Sequence, residues 1–315
     1  MIKMWLDALI QIETVGDPLS SRAGECMEAI GYSDTLDCAN ETILLHPVRN
    51  LDPAYACAEF LWYLSMTDDT TFLQRFAPSY GRFCEDGIHA FGAYGHRWKL
   101  NAQINEGEST IGQLYTALSV LKAHPESRQV VMTMWDGTDL VHAEAVDKKD
   151  LPCTLTHQFL MRHGYLHLVT TMRSNDAWLG MPYDVFCNTQ LLKLFAVMLG
   201  CSTGSYTHNV GSMHYYDKNY EKIKQILDST EEIPEAPFSV YYAVENPLPL
   251  EEQVSNSIKY IDELDECLLV GVHSPIADCA RVCACKFAEF KSEQADLIDD
   301  DQLILAVKTF YNLEA

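Results

Sequence analysis

Residues 150–185 read DLPCTLTHQFLMRHGYLHLVTTMRSNDAWLGMPYDV, the part of the chain densest in groups that could do chemistry. A cysteine follows a proline at Pro152-Cys153. Further on come Arg173-Ser174-Asn175-Asp176 and then a Gly180-Met181-Pro182-Tyr183-Asp184 turn. A thiol attacks as its thiolate, and a neighbouring cation lowers its pKa from about 8.5. Arg173 is the cation at hand, so the segment predicts a thiolate nucleophile at Cys153. An arbitrary cysteine near an arginine is more often an inert core residue. The choice depends on what else the chain brings to the site.

The elements that must position these groups show in the pattern. Residues 129–135 and 165–172 are apolar and β-branched enough for strands, and 54–66 for a buried helix. Residues 186–199 are apolar nearly all round, a helix for the centre of the core, with Gly200 to stop it. With 315 residues, 48% of them hydrophobic, the chain can bury a large core. A formal charge of -23, from 45 acidic and 22 basic residues, argues against a nucleic-acid surface. An anionic substrate must therefore meet a local cluster of arginines. Eleven cysteines without regular spacing suit a reduced, cytoplasmic protein. No signal-peptide pattern and no apolar run of membrane-spanning length is present.

No repeat or linker interrupts residues 1–245, which read as one domain. Residues 246–315 read as a divergent C-terminal part of that domain, with acidic helices on either side of Cys279-x3-Cys283-x-Cys285. That spacing lacks the C-x2-C pairs of common zinc sites, so these are expected to be buried strand cysteines, and no metal site is expected.

The order Pro152-Cys153, Gln158-Phe159, Arg173-Ser174-Asn175-Asp176, Leu179-Gly180-Met181-Pro182-Tyr183-Asp184 resembles the active-site pattern of the thymidylate synthase and cytidylate hydroxymethylase family. The resemblance runs from about residue 20 to 225. It takes in Glu59-Phe60-Leu61-Trp62, Tyr94-Gly95-His96-Arg97-Trp98, Ser127-Arg128 and Gly211-Ser212-Met213-His214-Tyr215-Tyr216. It implies an α/β fold, a large mixed sheet flanked by helices, whose sheet face forms a homodimer.

What the resemblance implies for each residue is chemically coherent. Cys153 adds to C6 of a pyrimidine nucleotide and makes C5 nucleophilic toward a one-carbon unit from 5,10-methylenetetrahydrofolate. Arg22, Arg173 and Ser174, with Arg128 from the opposite subunit, grip the phosphate. His214 and Tyr216 hold the 3′-hydroxyl, Asp176 lies beside the base, and Glu59 organises water and proton transfer. Trp62, Tyr80 and Gly180 face the folate.

Three positions depart from the synthases. Asp184 stands where they carry the asparagine that reads uracil. A carboxyl group accepts from the cytosine amine and, when protonated, donates to N3, which points to a cytidylate. Thr154 replaces the histidine after the nucleophile. Tyr311-Asn312-Leu313-Glu314-Ala315 replaces the small apolar tail that closes over folate. The expected reaction is C5 hydroxymethylation of CMP or dCMP, with water adding to an exocyclic methylene. Rivals within the class are a 5-methylcytidylate synthase, using hydride, and a thymidylate synthase. A nucleotide-binding relative without turnover is disfavoured by the intact Cys153, Arg173 and Glu59.

Overall fold

The computed structural model describes residues 1–37, 42–100, 112–229, 249–264, 268–269, 274–288 and 291–313. The expected boundary at 245/246 and the tail residues 314 and 315 lie outside the described residues. The chain opens with α1 (Ile2–Val15), whose Met4, Trp5, Ala8, Leu9 and Ile12 recur at helical spacing and are buried. A hairpin follows, β1 (Asp17–Ser21) and β2 (Gly24–Asp37). Next comes α2 (Pro53–Leu64), started by the Asp52 carboxylate, which accepts from the Ala54 and Tyr55 N–H groups, and by a proline at its first position. Then come α3 (Thr71–Gln74), a 3-10 helix (Pro78–Phe83), α4 (Tyr94–Leu100), α5 (Gln113–Ala123), β3 (Val131–Thr133) and α6 (Gly137–Ala145).

β4 (Thr154–Arg162) and β5 (Tyr165–Asp176) form a hairpin across His163-Gly164, both at positive φ (52° and 81°), the pairing that matches strand twist. α7 (Met181–Leu199) ends on Gly200 at φ 67°, as expected, and β6 (Ser202–Tyr216) follows. The remaining elements are α8 (Tyr220–Leu227), α9 (Leu250–Glu263), α10 (Pro275–Cys285), α11 (Lys291–Ala295) and α12 (Asp301–Tyr311).

The six strands form one mixed sheet in the order β1-β2-β6-β5-β4-β3. Only the β5–β6 pair is parallel, and the buried helix α7 is the crossover such a pair requires. The register brings the chemistry together. Asp176 lies opposite His214, Cys26 opposite Tyr216, and Thr154 opposite Met172. The start of β4, the ends of β5 and β6 and the β1–β2 turn thus share one end of the sheet.

Cys279, Cys283 and Cys285 are buried as expected, but on the helix α10 rather than on a strand. Ser274 caps that helix, Pro275 opens it, and three alanines favour it. Cys279 and Cys283 share a helix face but Cys285, two residues on, points away from it, and no group of three or more His, Cys, Asp or Glu able to hold a metal occurs among the described residues. Lys193 of α7 pairs with Asp300 at 3.2 Å, tying α12 to the core helix. No helix among the described residues is long and apolar enough to cross a membrane.

Candidate active site

Cys153 sits on the bend that enters β4, and Arg173 of β5 braces that bend. The Arg173 backbone N–H donates to the Cys153 carbonyl (2.8 Å), its Nε to Pro152 O (2.9 Å) and its Nη2 to Leu151 O (3.0 Å). The expected effect of Arg173 on the thiol is present in direction but opposed by burial. Burial pushes the Cys153 thiol up to about 11, Arg173 pulls against this, and the charges of Asp150 and Asp184 add to the rise. Cys153 is only half-buried at this bend, and Arg173 favours its thiolate, the direction expected from the sequence.

A cleft of about 110 Å³ is lined by Glu59, Trp62, Tyr63, Tyr80, Asp150 and Asp184, among others. Glu59 comes from α2, where Tyr55 Oη donates to its Oε1 at 3.1 Å and Cys187 Sγ lies 3.9 Å from its Oε2. Burial first, then the charge of Asp184, push Glu59 up to about 8. Asp184 stands in the first turn of α7, a position that favours a carboxylate through the helix dipole. Even so, burial pushes it up to about 7, while a 2.7 Å bond donated by Asn175 Nδ2 to Oδ2 opposes the rise. Near neutral pH each of these carboxyls keeps a proton for much of the time. The third, Asp150, is raised by burial and accepts from Gly92 N–H at 3.1 Å. A Cβ on Gly92 would lie 2.7 Å from Asp150 Oδ2, so only glycine permits this contact.

The other expected residues divide in two. Arg22, in the β1–β2 turn, donates to Lys148 O (3.0 Å) and Lys149 O (2.9 Å), which draws the loop before Cys153 toward the hairpin. Asp176 Oδ1 accepts from the Trp178 and Leu179 N–H groups (2.8 and 2.9 Å), and its carboxyl is raised by burial. His214 has a buried Nδ1 without a hydrogen-bond partner, and its ring meets Tyr216 edge-on at 5.2 Å. Ser174 is half-buried opposite Ser212 of β6. All of these share the Cys153 end of the sheet.

Arg128 does not. It is exposed just before β3, and its carbonyl accepts from Gln158 Nε2. Gln158 is five residues along β4 from Cys153, roughly 16 Å at strand rise. Trp62 and Tyr80 meet edge-to-face at 5.7 Å in the cleft wall, where folate contacts are expected. Gly180 instead leaves room for the Asn175–Asp184 pair: a Cβ there would lie 3.2 Å from Asn175 Nδ2 and 3.3 Å from Asp184 Oδ2.

Residues 3–246 match the family model described as thymidylate synthase. The chain belongs to the thymidylate synthase family. The match extends past the end of the resemblance at about residue 225, and all of the site residues fall within it. The chain is also similar to a protein named deoxyuridylate hydroxymethyltransferase from Bacillus phage SP01, at 32% identity over 248 residues. That likeness covers 75% of this chain and 63% of the phage protein, so the chain spans under two thirds of that relative's length.

Within the family site, sequence reasoning missed Asp150, Tyr63, Asn175 and His208. Asp150 adjoins the cysteine motif, and its carboxyl was a usable signal. Asn175 occupies the variable position of the Arg-Ser-x-Asp motif. His208 is one histidine in a polar strand and gave no signal.

Proposed function

We propose that the chain transfers a hydroxymethyl group to C5 of a cytidylate, CMP or dCMP, with 5,10-methylenetetrahydrofolate as the donor. The observation that carries this reading is Asp184, a half-buried carboxyl lining the cleft at the position where uracil-using synthases have asparagine. Pushed up to about 7, it can hold a proton at neutral pH and donate it in a hydrogen bond to N3 of cytosine while its other oxygen accepts from N4–H. As the thiolate adds to C6 and N3 becomes more basic, the proton passes to N3 and leaves a carboxylate accepting from both N3–H and N4–H. The O4 of unreacted uracil is a far weaker base than N3 of cytosine. A protonated Asp184 can still donate a hydrogen bond to O4, so charge repulsion alone does not exclude uracil.

Cys153 Sγ bonds to C6 after losing its proton, and C5 becomes nucleophilic. Methylenetetrahydrofolate would supply the one-carbon unit when bound, and the wall of Trp62, Tyr63 and Tyr80 offers aromatic rings against which a pterin can pack. Glu59 takes and returns protons between the base and cleft water. His214, with its unpartnered Nδ1, and Tyr216 are placed to meet the sugar hydroxyl. Arg22, Arg173 and Ser174 ring the phosphate end. Arg128, whose carbonyl is held by Gln158 roughly 16 Å along β4 from Cys153, supports a homodimer in which it serves the partner's site. Residues 246–315 complete the same domain, a reading supported by the Lys193–Asp300 pair and by Cys283 Sγ donating to Ala54 O at 3.5 Å. The nine cysteines among the described residues are all free, which supports a cytoplasmic protein.

The phage relative's name favours a second reading, hydroxymethylation of deoxyuridylate. Mass spectrometry of products from CMP, dCMP, UMP and dUMP, each with methylenetetrahydrofolate, separates the two. The proposal requires a C5-hydroxymethyl product from a cytidylate. A product from uridylates only overturns it, and a methyl product overturns the water step.

A further inference from the structure

Asp184 ends a chain of buried polar side chains that runs from α7 across β6 and β5. Asn188 Nδ2 donates to Tyr206 Oη at 3.0 Å, and Tyr206 Oη lies 2.7 Å from His208 Nδ1. His208 Nε2 lies 3.0 Å from Asn175 Oδ1, and Asn175 Nδ2 donates to Asp184 Oδ2 at 2.7 Å. Asn175, Asn188, Tyr206 and His208 are at most 6% exposed. The chemistry set out above needs no contact from Tyr206, His208 or Asn188. Buried polar groups are costly unless fully paired, so a fully paired row of them calls for a purpose.

Counting donors and acceptors orients the row. An ionised carboxylate cannot donate, so Asn175 must turn its amide to Asp184 and its carbonyl to His208. His208 then keeps its proton on Nε2, and Nδ1 accepts from the Tyr206 hydroxyl. Burial holds His208 neutral, with its pKa pushed down to about 3, so the ring carries one proton and cannot donate on both sides. Turning over the Asn175 amide would reverse every bond and force the Asp184 proton onto Oδ2.

A lone carboxylic acid reads both bases. With its proton on one oxygen it donates at position 3 and accepts at position 4, as cytosine requires; with the proton on the other it does the reverse, as uracil requires. We propose that Asn175 and His208 are positioning residues that confine the Asp184 proton to Oδ1, giving this carboxyl one base pattern in place of two. The inference rests on Asp184 reading the base, as proposed above, but not on which base it favours.

The test is competition between a cytidylate and the matching uridylate, read as the ratio of kcat/KM by mass spectrometry. It compares wild type with Asn175→Ala, His208→Phe and Tyr206→Phe. Tyr206→Phe keeps the ring and removes only the hydroxyl, so it carries the test if His208→Phe does not fold. Discrimination of at least about tenfold in wild type should fall below about threefold in Asn175→Ala and His208→Phe, with Tyr206→Phe between. The disfavoured base should gain relative to the favoured one. A row that serves only stability would slow both bases in parallel, and a ratio within about twofold of wild type in all the folded variants overturns the inference. A wild type that prefers uridylate overturns the cytidylate reading alone, and the same collapse of the ratio still decides the relay. Equal wild-type turnover of both bases overturns both.

Discussion

Glu59→Gln should remove the largest single part of a pH-dependent stability, leaving the smaller part that Asp184 contributes. Glu59 is buried in the cleft wall, and burial with the charge of Asp184 moves it from 4.5 to about 8. At 1.36 kcal/mol per pH unit this amounts to at most about 5 kcal/mol, and less where Asp184 still holds its proton. The folded carboxyl keeps its proton where the unfolded one has lost it. The folded state therefore binds more protons between about pH 4.5 and 8, and stability falls as pH rises through that window. Below it the penalty is absent; above it the penalty is complete. Glutamine carries no charge at any pH and keeps an oxygen for the Tyr55 hydroxyl. Its amide would face Cys187 Sγ, a weak acceptor, at a cost of about 1–3 kcal/mol. The variant should accordingly be no more stable than wild type at pH 4.5 and at least about 2 kcal/mol more stable at pH 8. Urea unfolding midpoints of both proteins from pH 4.5 to 9 provide the measurement. Parallel curves across the window would refute the reasoning, because they would mean that Glu59 ionises as easily in the folded cleft as in water.

Three further outcomes follow from other contacts. Gly95→Ala would set a Cβ 1.9 Å from the Tyr63 carbonyl oxygen, a backbone atom that cannot swing aside; a loss of about 3 kcal/mol or more in urea unfolding is expected, and an unchanged midpoint contradicts the packing. Lys193→Met leaves the Asp300 carboxylate buried without its cation, which should cost about 3–5 kcal/mol in the same assay, while a neutral result would mean that the pair is not formed. Asp184→Asn restores a permanent amide donor and should narrow or invert the preference for cytidylate in kcat/KM; a ratio that does not move removes Asp184 from base reading.

The legible part of the site lay where the chemistry follows the chain. Cys153, Arg173, Asp176 and Asp184 occupy one strand–strand–helix run, and the β5–β6 register carries His214 to them, so short-range spacing held most of the geometry. The helix α7 was readable because a helix apolar all round can only be central, and Gly200 ended it as its left-handed conformation allows. One reading failed for a physical reason. Cysteine and valine suggested a strand at 279–285, but Ser274, Pro275 and the alanines between the cysteines carry a stronger helix signal. The balance at Cys153 between burial and the pull of Arg173 depends on tertiary packing that no local motif encodes. Asn175 and His208 are 33 residues apart, and the register sets them opposite Met213 and Thr170 rather than each other, so their side-chain bond could not be read from the sequence or from strand pairing.

The central claim is that Cys153 adds to C6 of a cytidylate, and release of tritium from C5 tests it most directly. Wild type incubated with 5-tritiated CMP or dCMP and methylenetetrahydrofolate should release label to water, faster than from the matching uridylate. Cys153→Ser should lower that release by more than about a thousandfold, near 4 kcal/mol in the barrier, while nucleotide binding persists through Arg22, Arg173 and Ser174. Release from Cys153→Ser within about tenfold of wild type, or no release from either cytidylate, would contradict the account.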